Sequence, residues 1–354
     1  MNTAINPILQ RYFSFIKNFL PDKSVTSAVG LDMGAGECKL VELNKSGENY
    51  ELCNWAIEPL VNDDVADGIK KCVSHLKQPC KSLYSSVFGK GTLIRYVDLP
   101  RIPLNDLKNS FALEADKYFP FAADQIYTDC YILDPKGKEK QMAVMAAAAK
   151  KEIIDERIKL LSKLELPTDF IGINPIALAN VFHVLGDQDS KETSSVALLD
   201  MGESVSSLTI FVDRVPRFTR DIFVGGRDLT KRISNALGVE FKEAERLKRE
   251  PGQKREEILR AYEMALMNII QEIKLSFDYF TTERNREISK FLLTGGASML
   301  DGISELFQKN LEVNVGTWDP LDRLKLDPNI KQAEVKKVSM KLGVAIGLAL
   351  YHYD

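Results

Sequence analysis

Paired cysteines, clustered histidines and long hydrophobic runs are all missing from this chain, and each absence closes off a class of protein. The 354 residues hold five cysteines, Cys38, Cys53, Cys72, Cys80 and Cys130, an odd number with no C-x-x-C spacing. Neither a disulfide framework nor a thiolate zinc site is expected, and a reducing cytoplasm is the fitting compartment. His75, His183 and His352 stand far apart without i, i+4 partners, which argues against a histidine metal centre. The apolar run at 342–350 is well short of the roughly 18 to 20 residues that span a bilayer, and no N-terminal apolar region leads into a small-residue cleavage site. Lysine and arginine are spread along a chain of net charge −3, with none of the clustering that marks a nucleic-acid footprint.

What is present is a globular composition, 45% hydrophobic and 27% charged, long enough to bury more than one core and to split into at least two domains. In 7–20, Ile8, Leu9, Tyr12, Phe13, Ile16, Phe19 and Leu20 recur at helical spacing. The segment reads as an amphipathic helix, suited to packing on its own domain or to touching a membrane surface or partner, and 21–27 reads as a linker. Strands are expected at 28–32, 40–43 and 50–57, followed by a helix at 63–76. Between 99 and 150 the pattern becomes strand, helix, strand, strand. Its helix, 105–119, carries Leu107, Phe111, Ala115 and Tyr118 on one face and stops at Pro120; its last two strands fall at 126–133 and 141–149. A helix at 152–164, a strand at 169–173 and a helix at 175–185 follow. A long core helix is expected at 255–281.

The chemistry concentrates in a phrase used twice: a hydrophobic strand ending in Asp, one residue, then Gly. The first copy is Val29-Gly30-Leu31-Asp32-Met33-Gly34-Ala35-Gly36, the second Ala197-Leu198-Leu199-Asp200-Met201-Gly202-Glu203-Ser204. Glycine lets backbone N–H groups approach phosphate oxygens as an anion nest, and an Asp at each strand end, facing one cleft, suits Mg²⁺ held through water. One Asp-x-Gly is weak; two copies, each between strands, are a stronger signal. A third element, Phe291-Leu292-Leu293-Thr294-Gly295-Gly296-Ala297-Ser298, breaks an apolar strand into a double glycine where a ligand can rest against bare backbone.

In this order the three segments resemble the two phosphate loops and the adenosine loop of the actin, Hsp70 and sugar-kinase superfamily. The resemblance implies an α/β actin-like fold, two RNase H-like domains around a nucleotide cleft, with ATP and Mg²⁺ as ligands. It places Asp32, Gly34, Ala35, Gly36 and Lys39 on one side of the phosphates and Asp200, Gly202, Glu203 and Ser204 on the other. Gly225 and Gly226 resemble second-domain phosphate glycines. Glu245 and Lys248, on Ala244-Glu245-Arg246-Leu247-Lys248-Arg249, resemble the ribose and adenine contacts, and Gly295, Gly296 and Ala297 complete the pocket. Asp32 and Asp200 are the implied metal-side residues. Read alone, a Glu-Lys pair on so charged a helix is a solvated face.

Within the superfamily the chain is similar to the type IV pilus assembly protein PilM family, on Gly30-Leu31-Asp32-Met33-Gly34 and the strand after Lys39, on Arg95 to Pro100, on the run from Phe111 to Phe121, and on 342–350. The 99–150 block occupies the place of the inserted subdomain of the cell-division protein FtsA. The implied organisation is an N-terminal helix and linker (1–24), a first domain (25–98, 151–203 and 338–354), the insert (99–150) and a second domain (204–337). The implied partner is the cytoplasmic tail of an inner-membrane PilN-like protein, laid between insert and first domain, with Phe111, Tyr118, Phe119 and Phe121 as contacts; at helical spacing these aromatics suit a core equally well. Self-association is a further implied contact.

Hydrolysis is expected to be slow. Where Hsp70 relatives place a Glu before Pro to orient water, this chain has Asn174, which cannot act as a base, and the acidic Glu37 stands beside the first loop. An adaptor that holds ATP at the inner face of the inner membrane is therefore expected ahead of a filament-forming FtsA-like ATPase or a small-molecule kinase. FtsA-type proteins carry a membrane-targeting helix after the fold, whereas this sequence ends at Asp354 after its last expected helix.

Overall fold

The computed structural model describes residues 27–353 except 48, 136, 138–139 and 187–194; the expected helix at 7–20 lies outside the described residues. The apolar run that ends in Asp32 forms β1 (Ser27–Met33), which turns into β2 (Glu37–Ser46) and β3 (Asn49–Pro59); the helix Val65–Ser74 returns the chain to β4 (Leu83–Val87). Next come β5 (Thr92–Pro100), the short helices Leu104–Leu113 and Ala115–Tyr118, β6 (Ile126–Ile132) and β7 (Gln141–Lys150). The helix Lys151–Lys163, β8 (Thr168–Ile173) and the helix Asn174–Leu185 follow. The remainder holds β9 (Ser195–Met201), β10 (Ser206–Val212), β11 (Val215–Ile222), the helix Arg255–Arg284, β12 (Ile288–Thr294), β13 (Asn314–Thr317) and β14 (Lys325–Leu326), and closes with the helix Gly343–Leu350.

The strands form three sheets, ordered β14-β3-β2-β1-β4-β8, β11-β10-β9-β12-β13 and β5-β7-β6. The first two share one plan. β1 pairs antiparallel with β2 and parallel with β4, while β9 pairs antiparallel with β10 and parallel with β12. Even the turns match, because the Gly34 N–H donates to Glu37 O at 3.1 Å and the Gly202 N–H to Val205 O at 3.0 Å. The repeated phrase in the sequence is thus a repeated hairpin, each ending its strand in Asp at a sheet's carboxyl edge.

The apolar helix Gly343–Leu350, buried along its whole length, is the wedge under β1. A Cβ on Gly30 would fall 1.9 Å from Ala345 O, and one on Gly347 1.9 Å from Ala177 O. Backbone therefore packs directly on backbone at both points, a distance only glycine permits.

Several expected boundaries move. Strand pairing puts β9 at the centre of the second sheet, so that half begins by Ser195 rather than after 203, and β14, inside the span given to the second domain, adds to the first sheet through β3. The insert's sheet begins at Thr92, seven residues before the expected start, because β5 runs unbroken against β7 from Thr92 to Pro100. The expected helix 105–119 is two helices, since Glu114 leaves helical geometry at φ −115°, ψ 25°.

Candidate nucleotide site

The first loop is built on a cross-strand pair. Asp32, 4% exposed, and Lys39 face each other in the β1–β2 register and form an ion pair at 3.0 Å. Burial by itself depresses a lysine pKa, but Asp32 and then Glu37 outweigh it and hold Lys39 above the ordinary lysine value. Asn174, first residue of its helix, donates from Nδ2 to Asp32 Oδ1 at 3.4 Å while its Oδ1 accepts from Ser86 Oγ at 2.6 Å. Asn174 thus lies against Asp32 with both ends of its carboxamide hydrogen-bonded.

Asp200 ends β9 in the equivalent place. Burial pushes its carboxyl up to about 6, with Lys39 opposing the rise and Asp32 adding to it, so the two carboxylates and one lysine form a single electrostatic unit across the two halves. Gly202 O and Glu203 O accept from the N–H groups of Gly226 and Arg227 at 2.9 and 2.8 Å, stitching the second loop to the N-terminus of the helix Gly226–Leu237. The loops meet at Gly36, where a Cβ would lie 3.2 Å from Glu203 Cγ. Ala35 and Ser204, at the turn tips, are half-buried.

Glu245 and Lys248 are not a solvated pair. Lys248 is 5% exposed and reaches Gly226 O at 3.1 Å and Glu245 at 2.7 Å, while Thr230 Oγ1 donates to the same carboxylate at 2.6 Å. Burial works against ionisation of Glu245, but these hydrogen bonds win and hold its pKa below the usual carboxylate value. A Cβ on Gly226 would meet Glu203 Oε2 at 3.0 Å, and Lys248 Nζ and the Ala297 methyl at 3.5 Å each. The third loop closes the ring. Gly295 adopts φ +87°, and a Cβ there would fall 2.2 Å from Asp200 Oδ1; Ser298 Oγ donates to Gly295 O at 2.7 Å.

The three glycine loops are therefore drawn together at points where a side chain would collide with its neighbour, with lysines on two sides. That donor set fits a polyphosphate bearing an aromatic base. For the cation, no group of three or more His, Cys, Asp or Glu stands together among the described residues. Asp32 and Asp200 suit a Mg²⁺ that arrives on phosphate oxygens and needs only one or two carboxylates, and they do not form a cage of their own. Lys341 Nζ pairs with Glu37 at 3.0 Å, a contact for which a lone lysine before an apolar helix gives no local signal.

The aromatics expected to meet a partner are placed otherwise. Phe111 and Phe119 are 1% and 3% exposed, and with the partly buried Tyr118 and Phe121 they pack into the insert's own core. Leu107, Phe111 and Ala115 lie against the sheet, so the apolar face that looked available is the face that holds the insert together. Beside it lies an apolar cavity of about 1240 Å³, whose walls include Tyr127, Tyr131, Phe170, Ile176 and Val215 and none of those four aromatics. Its walls include β6, β8 and the first residues of β11, each an edge strand of its sheet, together with β7 and the helices Lys151–Lys163 and Asn174–Leu185.

Among the described residues no helix is long and apolar enough to cross a membrane. A family model described as type IV pilus assembly protein PilM matches residues 30–353. A chain of the PilM–PilN type IV pilus biogenesis complex superposes with a TM-score of 0.81 at 23% identity, covering 92% of this chain and 98% of that one. MreB 5 of Spiroplasma citri, solved with AMPPNP, superposes at 0.52 and 9% identity over 93% and 96%. Cell division protein FtsA of Enterococcus faecalis is 26% identical over 215 residues, 53% of this chain and 48% of FtsA, so the chain spans about half the length of the curated relatives it matches. The fold is actin-like.

Proposed function

The chain belongs to the type IV pilus assembly protein PilM family, and from that premise we propose that it is an adaptor of a pilus or related secretion machine. In this reading it binds ATP with Mg²⁺ in the cleft and captures the cytoplasmic tail of a PilN-like inner-membrane protein in the groove, working at the cytoplasmic face of that membrane. The observation that carries the adaptor reading is the meeting of three sheet edges on one apolar groove. An extended peptide laid along the edge of β6 or β8 would add a strand to that sheet through main-chain hydrogen bonds, with the apolar lining receiving alternate side chains. The exposed Tyr127 and Tyr131 of β6 offer large contact area with a polar tip at little entropic cost. That the solved PilM superposing on this chain is in complex with PilN supports the choice of partner.

The cleft supports nucleotide holding through the convergence of Gly36, Gly226 and Gly295 on facing loops. The loop N–H groups and Lys39 would face the phosphates, Glu245 and Lys248 the nucleoside, and Asp32 and Asp200 the cation. Bound Mg²⁺ would neutralise phosphate charge. Among this chain's own groups, Asn174 has a carboxamide that takes up no proton, and Asp200, the remaining candidate base, is in this reading occupied with the cation. ATP is accordingly held more than spent, and binding that bridges both halves favours the closed arrangement.

The deciding experiment titrates a synthetic PilN-like tail peptide into the purified protein by calorimetry, with and without Mg²⁺-ATP. Micromolar binding supports the adaptor reading; no binding under either condition sinks it.

A further inference from the structure

One side chain ties together loops that belong to opposite sides of the cleft. Lys341 lies on the short turn Ser339–Lys341, and that turn is fastened to the glycine loop of the second half: the Gly295 N–H donates to Met340 O at 3.0 Å, and Thr294 Oγ1 donates to the same oxygen at 3.4 Å. The aliphatic stem of Lys341 passes Gly296, where a Cβ would lie 3.4 Å from Lys341 Cε. Its ammonium then crosses to the first phosphate loop and pairs with Glu37 Oε2 at 3.0 Å, both side chains being about a fifth exposed. On the other flank Lys39 Nζ stands 3.8 Å from Glu37 Oε1.

Glu37 is the awkward residue of this site. It directly follows Gly34-Ala35-Gly36, the turn that the nucleotide reading sets against phosphate, and a carboxylate there repels any phosphate that enters. Lys39 cannot fully compensate it, because its nearer partner is Asp32 at 3.0 Å. Lys341 is the cation left to draw the Glu37 carboxylate aside.

We propose that Lys341 is a nucleotide-affinity residue that acts by holding the Glu37 carboxylate out of the phosphate path. The proposal rests on the nucleotide reading above and adds a positioning residue to it. Lys341 sets affinity by phosphate charge, leaves recognition of the nucleoside untouched, and fastens the first phosphate loop to the Gly295–Gly296 loop.

The test measures equilibrium affinity of the full-length protein for Mg²⁺-ATP and for adenosine in four proteins: unaltered, Lys341→Met, Glu37→Gln and the double variant, with unfolding temperature as a control on folding. Lys341→Met should weaken ATP about tenfold or more while adenosine affinity stays within twofold. Glu37→Gln should bind ATP at least as tightly as the unaltered protein, and the double variant should return to within about threefold of it. A double variant as weak as Lys341→Met would overturn the proposal, because Lys341 would then touch phosphate itself. Equal loss of ATP and adenosine would also overturn it, since Lys341 would then be shaping the adenosine loop. Lys341→Arg keeps the charge and should retain ATP affinity even if Lys341→Met folds poorly. An unaltered protein that binds no adenine nucleotide defeats the nucleotide reading and this proposal together, whereas normal binding by Lys341→Met defeats this proposal alone.

Discussion

Asp32 and Lys39 are cross-strand partners in β1 and β2, and their side chains close a 3.0 Å ion pair, with Glu37 and then Asp200 as further carboxylates in the lysine's field. The pair is almost dry, with 5% of the aspartate and 13% of the lysine side chain exposed. Removing one partner of such a pair strands the other charge, at a cost of about 3 to 5 kcal/mol. Lys39→Met should therefore lower the urea midpoint steeply, and Asp32→Asn added to it should recover part of the loss. Equal midpoints for unaltered protein and Lys39→Met would contradict the pairing.

Asp200 gives a pH signature. Burial raises its pKa to about 6 from 3.8 in the unfolded chain, so the folded state binds this proton more tightly. The cost of ionising it in the folded protein is absent below about pH 4, grows as pH rises, and is complete above about pH 6, at about 3 kcal/mol at most. Asp200→Asn should change unfolding free energy little near pH 4 and gain on the unaltered protein up to pH 7. Urea unfolding at fixed salt across that range measures it; a gain that shrinks as pH rises would show the opposite shift.

Groove and insert core should separate cleanly under mutation. Tyr131→Ala removes an exposed ring from the groove wall and should weaken a PilN-like tail peptide about tenfold with less than about 0.5 kcal/mol change in stability. Phe111→Ala empties a fully buried site and should cost about 3 to 5 kcal/mol. Peptide affinity and denaturation measured on both variants decide whether the two roles are divided in this way.

Steady-state phosphate release should be slow, well under about 1 s⁻¹, the lower end of ordinary turnover, because Asn174 spends its amide on Asp32 and Ser86. A coupled phosphate assay checks this, and turnover in the ordinary enzymatic range would reassign the water-orienting role.

Two glycines with different reasons should behave differently. Gly347→Ala drives a methyl to 1.9 Å from Ala177 O, a backbone contact with no flexible atom to yield, and should abolish soluble folding. Gly238 sits at φ +63° with nothing within 4 Å, so Gly238→Ala pays only the left-handed backbone strain, about 1 to 2 kcal/mol. Yield and thermal unfolding of the two variants distinguish them.

The parts of the site readable in advance are local ones. Asp-x-Gly after an apolar run dictates a strand ending in a tight turn whatever surrounds it, and both hairpins form with the same closing hydrogen bond. That Glu245 and Lys248 form an engaged, largely buried pair had no local signal, because a charged helix looks solvated until Gly226 and Thr230 are brought against it. The aromatics of the insert mislead for a related reason. Helical spacing says that Phe111 and Ala115 share a face, but it does not say whether that face meets a neighbouring sheet or an open groove.

By itself the sequence determined the repeated hairpins, the double-glycine loop and the apolar wedge at 343–350, because each follows from residue types a few positions apart. Tertiary structure alone decided that Asp32 and Asp200 share one electrostatic field, that Lys341 reaches Glu37, and that the edges of β6, β8 and β11 line one groove. Those relations join residues far apart in the chain, and their distances are set by how the three sheets pack, which no short stretch of sequence encodes.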